Sequence, residues 1–248
     1  MAWFLLKERF YGKILVIKIA AAFFIIMGII WLAIGSYAKN LPSVESERPI
    51  QWGITFSSKH SRDLGLDWRT TYQDILSELH PKKIRLIAYW DEIEKFDPVT
   101  RKNIYDFTDL DWQMEEAKRV GVNVVLAFGM KVPRWPECHI PGWMVSPDFP
   151  QETRESLLRE YMHTLVLRYR TNPALHMWQV ENEPFLLFGE CPERGEKFLD
   201  REIELVRSLD HRPILVTDGG EFGDWYRAAK VGDVFGTTMY RKVYPKFI

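Results

Sequence analysis

From residue 50 onward, short apolar runs alternate with longer amphipathic ones, and few folds accept that order. Residues 51–56, 83–90, 123–128, 176–180, 214–217 and 234–239 each have the length and side chains of a strand. Helical periods lie between them. Residues 67–79 set Trp68, Tyr72, Ile75, Leu76 and Leu79 on one face. Thr108 is placed to cap a helix carrying Leu110, Met114 and Ala117, which Gly121 can end. Residues 151–169, 198–209 and 225–230 supply further helices. The run 123–128 is nearly all apolar, as a strand buried on both faces of a parallel sheet requires. The order therefore implies a parallel sheet with crossover helices, either doubly wound or closed as a barrel.

A doubly wound dinucleotide fold needs a glycine-rich turn after its first strand, and residues 55–60 (Thr-Phe-Ser-Ser-Lys-His) contain no glycine. In a barrel, chemistry sits where the strands end, and polar and aromatic residues gather there. They are Tyr89-Trp90-Asp91-Glu92, Arg134-Trp135 with Cys138-His139, Asn182-Glu183, Asp218 with Glu221, and Tyr240-Arg241. The expected fold is α/β, a (β/α)8 TIM-barrel type with about six strand-helix units, preceded by an N-terminal transmembrane helix. An isomerase or aldolase on such a barrel would want a lysine or metal cluster at the strand ends, and neither stands out in the sequence.

Residues 19–37 carry no charge, and at about 1.5 Å per residue they are just long enough to cross a hydrocarbon core of roughly 30 Å. Lys7, Arg9, Lys13 and Lys18 precede them, which places the N-terminus in the cytoplasm and the remainder outside. Ser36-Tyr37-Ala38 also satisfies a signal-peptide cleavage site, so an uncleaved anchor and a secreted product both remain open. The expected divisions are a basic segment at 1–18, an anchor or signal at 19–38, a proline-punctuated tether at 39–49 and a folded domain at 50–248. That domain has a formal charge of −4 within an overall −1, the opposite of a nucleic-acid binder.

The stretch Trp178-Gln179-Val180-Glu181-Asn182-Glu183-Pro184 is an apolar strand that stops in an amide and a carboxyl group, with a proline forbidding further pairing. Glu183 suits the protonation of a leaving oxygen. Asn182 suits a hydrogen bond to a ring hydroxyl beside the reacting carbon. Arg85, inside the second strand, either stabilises a nearby carboxylate or makes a structural ion pair. Trp90, Trp135 and Trp178 are candidates for sugar-stacking platforms or for the core. Cys138 and Cys191 follow neighbouring strands, and their loops can meet in a disulfide; a metal site with His139 is the alternative, although no spacing matches a zinc pattern.

The barrel order together with residues 178–184 resembles the clan A glycoside hydrolases, retaining enzymes of the cellulase, mannanase and β-galactosidase type. Ile84-Arg85-Leu86 with Tyr89-Trp90-Asp91-Glu92-Ile93-Glu94 is similar to their second strand and loop, and Tyr105-Asp106-Phe107-Thr108-Asp109-Leu110-Asp111 to the segment entering their second helix. The resemblance implies a β-linked oligo- or polysaccharide substrate, no cofactor and no metal. It also implies Glu183 as acid/base, Asn182 on the 2-hydroxyl, and Arg85 and Tyr240 holding the nucleophile. That nucleophile is a Glu closing a seventh strand, and the sequence ends at Ile248 shortly after its sixth, so a truncated barrel is expected. Glu221 is the nearest replacement carboxylate. A carbohydrate-binding protein without turnover is the alternative reading.

Overall fold

A computed structural model of the protein describes residues 2–40, 50–192, 194, 197–220, 223 and 225–239, with side chains from residue 16 onward. The chain divides into two compact units, Met1–Ile50 and Gln51–Ile248. The described residues of the first contain a single helix, α1 (Ala2–Lys39). Its segment Val16–Lys39, 24 residues, is long and apolar enough to cross a membrane, a test that a signal sequence also passes.

The second unit is built on six strands, β1 (Gly53–Thr55), β2 (Lys83–Ile87), β5 (Asn123–Phe128), β6 (Leu175–Val180), β7 (Ile214–Asp218) and β8 (Val234–Thr237). They pair in that order, every pair parallel. Helices α3 (Trp68–Leu79), α5 (Thr108–Val120), α6 (Gln151–Tyr169), α7 (Phe198–Leu209) and α8 (Tyr226–Val231) connect them. The result is an incomplete (β/α)8 barrel of six strands.

Strand alternation assigns the two faces. Ile84, Leu86, Val124, Leu126, Phe128, Trp178, Val180, Ile214 and Val216 belong to one apolar cluster with the helices. Ile87 and Ala127 have the opposite parity in β2 and β5 and therefore face the inside of the half-barrel, where they form a second, smaller cluster with Tyr89 and Val132 from the loops that follow. Arg85, Gln179 and Thr217 share the inward parity, which is how polar side chains reach the interior without crossing the helix layer.

Three features depart from the expected elements. A short helix, α2 (Ser58–Asp63), follows β1, capped by Ser57 whose side chain accepts from His60 N. The second strand stops at Ile87; after it come α4 (Trp90–Ile93) and an antiparallel hairpin, β3 (Glu94–Asp97) and β4 (Lys102–Tyr105). The hairpin turn is made by Asp97, whose carboxylate accepts from Val99 N and Thr100 Oγ1. Finally, Thr108 is the first residue of α5 rather than its cap. The capping bond is made by Asp106, whose Oδ1 accepts from Thr108 N at 3.0 Å. Gly121 does end that helix, at φ 73°.

Glu94 is 1% exposed and accepts from Trp90 Nε1, while its Oε1 is buried without a partner among the described residues. Burial pushes its carboxyl up to about 7, against the indole bond and helped by Glu160. A folded-state value above the unfolded one means that stability present at acid pH is lost as pH rises from the usual carboxylate range through 7. Glu94→Gln is expected to raise the unfolding free energy by about 2 kcal/mol at pH 8 and to leave it nearly unchanged at pH 4. Urea titrations at the two pH values measure this; an equal change at both would contradict it.

Candidate active site

The end of β6 is a turn that few residues adopt. Glu181 and Glu183 both lie at positive φ, 60° and 47°, on either side of Asn182. Such left-handed positions cost free energy for residues with a side chain and persist where neighbours over-determine them. Here Glu181 N bonds Phe128 O at 2.9 Å and Asn182 N bonds Lys131 O at 2.7 Å, both on the β5 side. On the other side, Glu183 N bonds Thr217 Oγ1 of β7 at 3.0 Å.

This turn delivers two polar side chains to the mouth of the half-barrel. Arg85 Nη2 donates to Asn182 Oδ1 at 2.8 Å. Because a guanidinium only donates, the bond fixes the carbonyl end of Asn182 toward Arg85 and turns its amide nitrogen away. Glu183 Oε1 accepts from Thr238 Oγ1 at 3.1 Å, and that hydroxyl is itself held by Gly220 N at 3.0 Å. Burial draws the Arg85 guanidinium down to about 10, against the nearby Glu183 charge, and Arg85 Nε is buried without a partner among the described residues. The site thus takes groups from β2, β6, β7 and the residue after β8.

Behind the turn is a buried charge network. Glu181 is fully buried; its carboxylate accepts from Met130 N at 3.0 Å, Lys131 N at 2.6 Å and Arg194 Nη1 at 2.9 Å. Arg194 also pairs with Glu202, and burial pushes the Glu202 carboxyl up against that pairing. Glu137, half-buried on the loop after β5, is raised first by burial; the Lys131 charge opposes the shift and the Glu183 charge adds to it.

Of the three tryptophans with two readings open, two belong to the core. Trp90 and Trp178 are both 0% exposed. Trp90 stacks on Tyr161, and Trp178 sits on the helix-facing side of β6 with its Nε1 donating to Asp210. Odd and even positions of a strand face opposite ways, so a strand that aims Gln179 inward must aim Trp178 at the helices. Trp135 is 61% exposed and meets Phe188 edge-on at 6.1 Å. Cys138 and Cys191 are disulfide-bonded, with sulfurs 2.06 Å apart, which removes both from any metal site. His139 instead faces Lys59, at 3.2 Å, and Asp91. Tyr240 and Glu221 lie outside the described residues.

Four contributors were not singled out from the sequence: Thr217, Thr238, Lys131 and Glu137. Thr217 was foreseeable from parity within its strand. Lys131 lies three residues past β5 in Gly129-Met130-Lys131, so a lysine does stand at a strand end. Its ammonium is taken up by the Glu183 and Leu186 carbonyls.

No protein-family model matches the sequence, and no curated protein matches it. Solved structures share the fold. They include the β-galactosidase of the Antarctic haloarchaeon Halorubrum lacusprofundi, with 14% identity and a TM-score of 0.55 over 77% of this chain and 40% of that one. The cold-adapted β-galactosidase of Rahnella sp. R3 gives 14% and 0.54 over 79% and 40%. GH5_18 from Streptomyces cattleya, solved in complex with GlcNAc, gives 16% and 0.55 over 79% and 52%. The chain therefore spans about half or less of the length of these proteins, and the similarity is one of fold.

Proposed function

We propose that the chain is a glycoside hydrolase of the retaining, clan A type acting on β-linked glycosides or polysaccharides, with Glu183 as general acid/base. The observation that carries this reading is the Arg85-Asn182-Glu183-Thr238 arrangement at the strand ends of a barrel whose solved likenesses are glycosidases. With Oε1 accepting from Thr238, Glu183 carries its proton on Oε2 and passes it to the glycosidic oxygen as the bond to the anomeric carbon breaks. The amide of Asn182, turned away from Arg85, donates to a sugar hydroxyl beside that carbon. A second carboxylate about 5 Å from the acid bonds the carbon from the other face. The resemblance puts that carboxylate at the end of a seventh strand, beyond the six described. Water, losing its proton to Glu183, then releases the sugar.

In this reading α1 tethers the domain outside the cytoplasm, and Trp135 offers an exposed aromatic face to the saccharide. The proposal is tested by incubating the protein with a panel of aryl β-glycosides and β-linked oligosaccharides, and following the released sugar by proton NMR. Hydrolysis giving the β-anomer first supports it. Saccharide binding without turnover supports instead a carbohydrate-binding protein built on the same cleft.

A further inference from the structure

One buried lysine touches every residue of the turn that presents the acid. Lys131 is 6% exposed. Its backbone N–H donates to Glu181 Oε2 at 2.6 Å, and its carbonyl accepts from Asn182 N at 2.7 Å. Its ammonium donates to the carbonyl of Glu183 at 3.0 Å and to that of Leu186. The Glu183 carbonyl also accepts from Leu186 N at 3.0 Å, so the ammonium closes a small ring around residues 183–186. The two left-handed residues of the turn, Glu181 and Glu183, are thereby both bonded to a single side chain and its backbone.

We propose that Lys131 is the positioning residue for Glu183, its ammonium holding the left-handed turn that aims the carboxyl group into the mouth. The inference rests on the glycosidase reading for its consequence in catalysis, but not for the clamp itself. A buried ammonium is costly to desolvate, and it is tolerated here because Glu137, Glu183, Glu181 and Asp218 surround it with negative charge. Two carbonyl bonds from a charged donor are stronger than neutral ones, enough to oppose the strain of two left-handed residues. A lysine serving as a nucleophile would need its amine free; this one is spent on backbone.

The test uses Lys131→Met, which keeps the stem and removes the donors, and Lys131→Gln, which restores a neutral donor. Amide hydrogen exchange reads the clamp without any need for turnover. Exchange at Asn182, Glu183 and Leu186 is expected to accelerate roughly tenfold or more in Lys131→Met, and less in Lys131→Gln, while Trp178 in β6 keeps its wild-type rate. On an aryl β-glycoside, kcat is expected to fall about a hundredfold in Lys131→Met with KM changed by less than about threefold, and to recover in part in Lys131→Gln. Wild-type exchange at the turn in both variants, or acceleration shared equally by Trp178, overturns the proposal. A protein that hydrolyses no glycoside overturns the proposed function, and the exchange experiment still decides the role of Lys131.

Discussion

Gly129→Ala is expected to lower the unfolding free energy by about 4 kcal/mol, a drop of roughly 10 °C in Tm for a domain of this size. Gly129 lies between β5 and Lys131 at φ 135°, a conformation that L side chains rarely adopt. A Cβ there would stand 2.7 Å from both Cδ and Oε1 of Glu181. Glu181 cannot retreat cheaply, because its carboxylate is fully buried and bonded to Met130 N, Lys131 N and Arg194. Displacing it leaves Arg194 Nη1 and the Met130 and Lys131 N–H groups without their acceptor in the interior, and breaking a buried charge pair ordinarily costs about 3–5 kcal/mol. Gly65→Ala separates clash from backbone strain. Gly65 also has a positive φ, 73°, but nothing lies within 4 Å of its built Cβ, so its loss is expected to be about 1 kcal/mol. Thermal and urea unfolding of both variants check this pair, and similar losses would contradict the role given to Glu181.

The second large effect concerns Glu183 itself. Its carboxyl is held by Thr238 and its backbone by Thr217 and Lys131. Glu183→Gln keeps these bonds and the shape of the side chain but removes a charge that faces the buried Arg85 and Lys131, so a loss of about 1 kcal/mol or more in stability is expected. In the proposed reaction it also removes the transferable proton, worth about 10²–10⁴ in rate where the departing oxygen needs protonation.

The alternation of periods made the barrel order legible, and β5, α6 and α7 run over the same residues as their apolar patterns. The β3-β4 hairpin was not legible, because its strands are only four residues long and carry Glu94, Lys95 and Lys102 in place of an alternating apolar pattern. At the site, the pairing of an amide with a carboxyl in Asn182-Glu183 could be read directly, and so could the inward position of Arg85. The sequence did not disclose that Trp178 faces the helices; that requires the parity of β6, which Gln179 sets by bonding Thr217. Nor did it disclose Lys131. Its function depends on a turn with two left-handed residues, and neither Glu181 nor Glu183 belongs to a type that advertises such a conformation.

The most direct test of Glu183 as the acid compares two aryl β-glycosides, one with a leaving group that departs unaided, such as 2,4-dinitrophenolate, and one with a basic leaving group that must be protonated. Glu183→Gln is expected to lose about 10²–10⁴ in kcat/KM on the second and less than about tenfold on the first. Equal losses on both substrates, or activity that survives on both, would contradict the assignment.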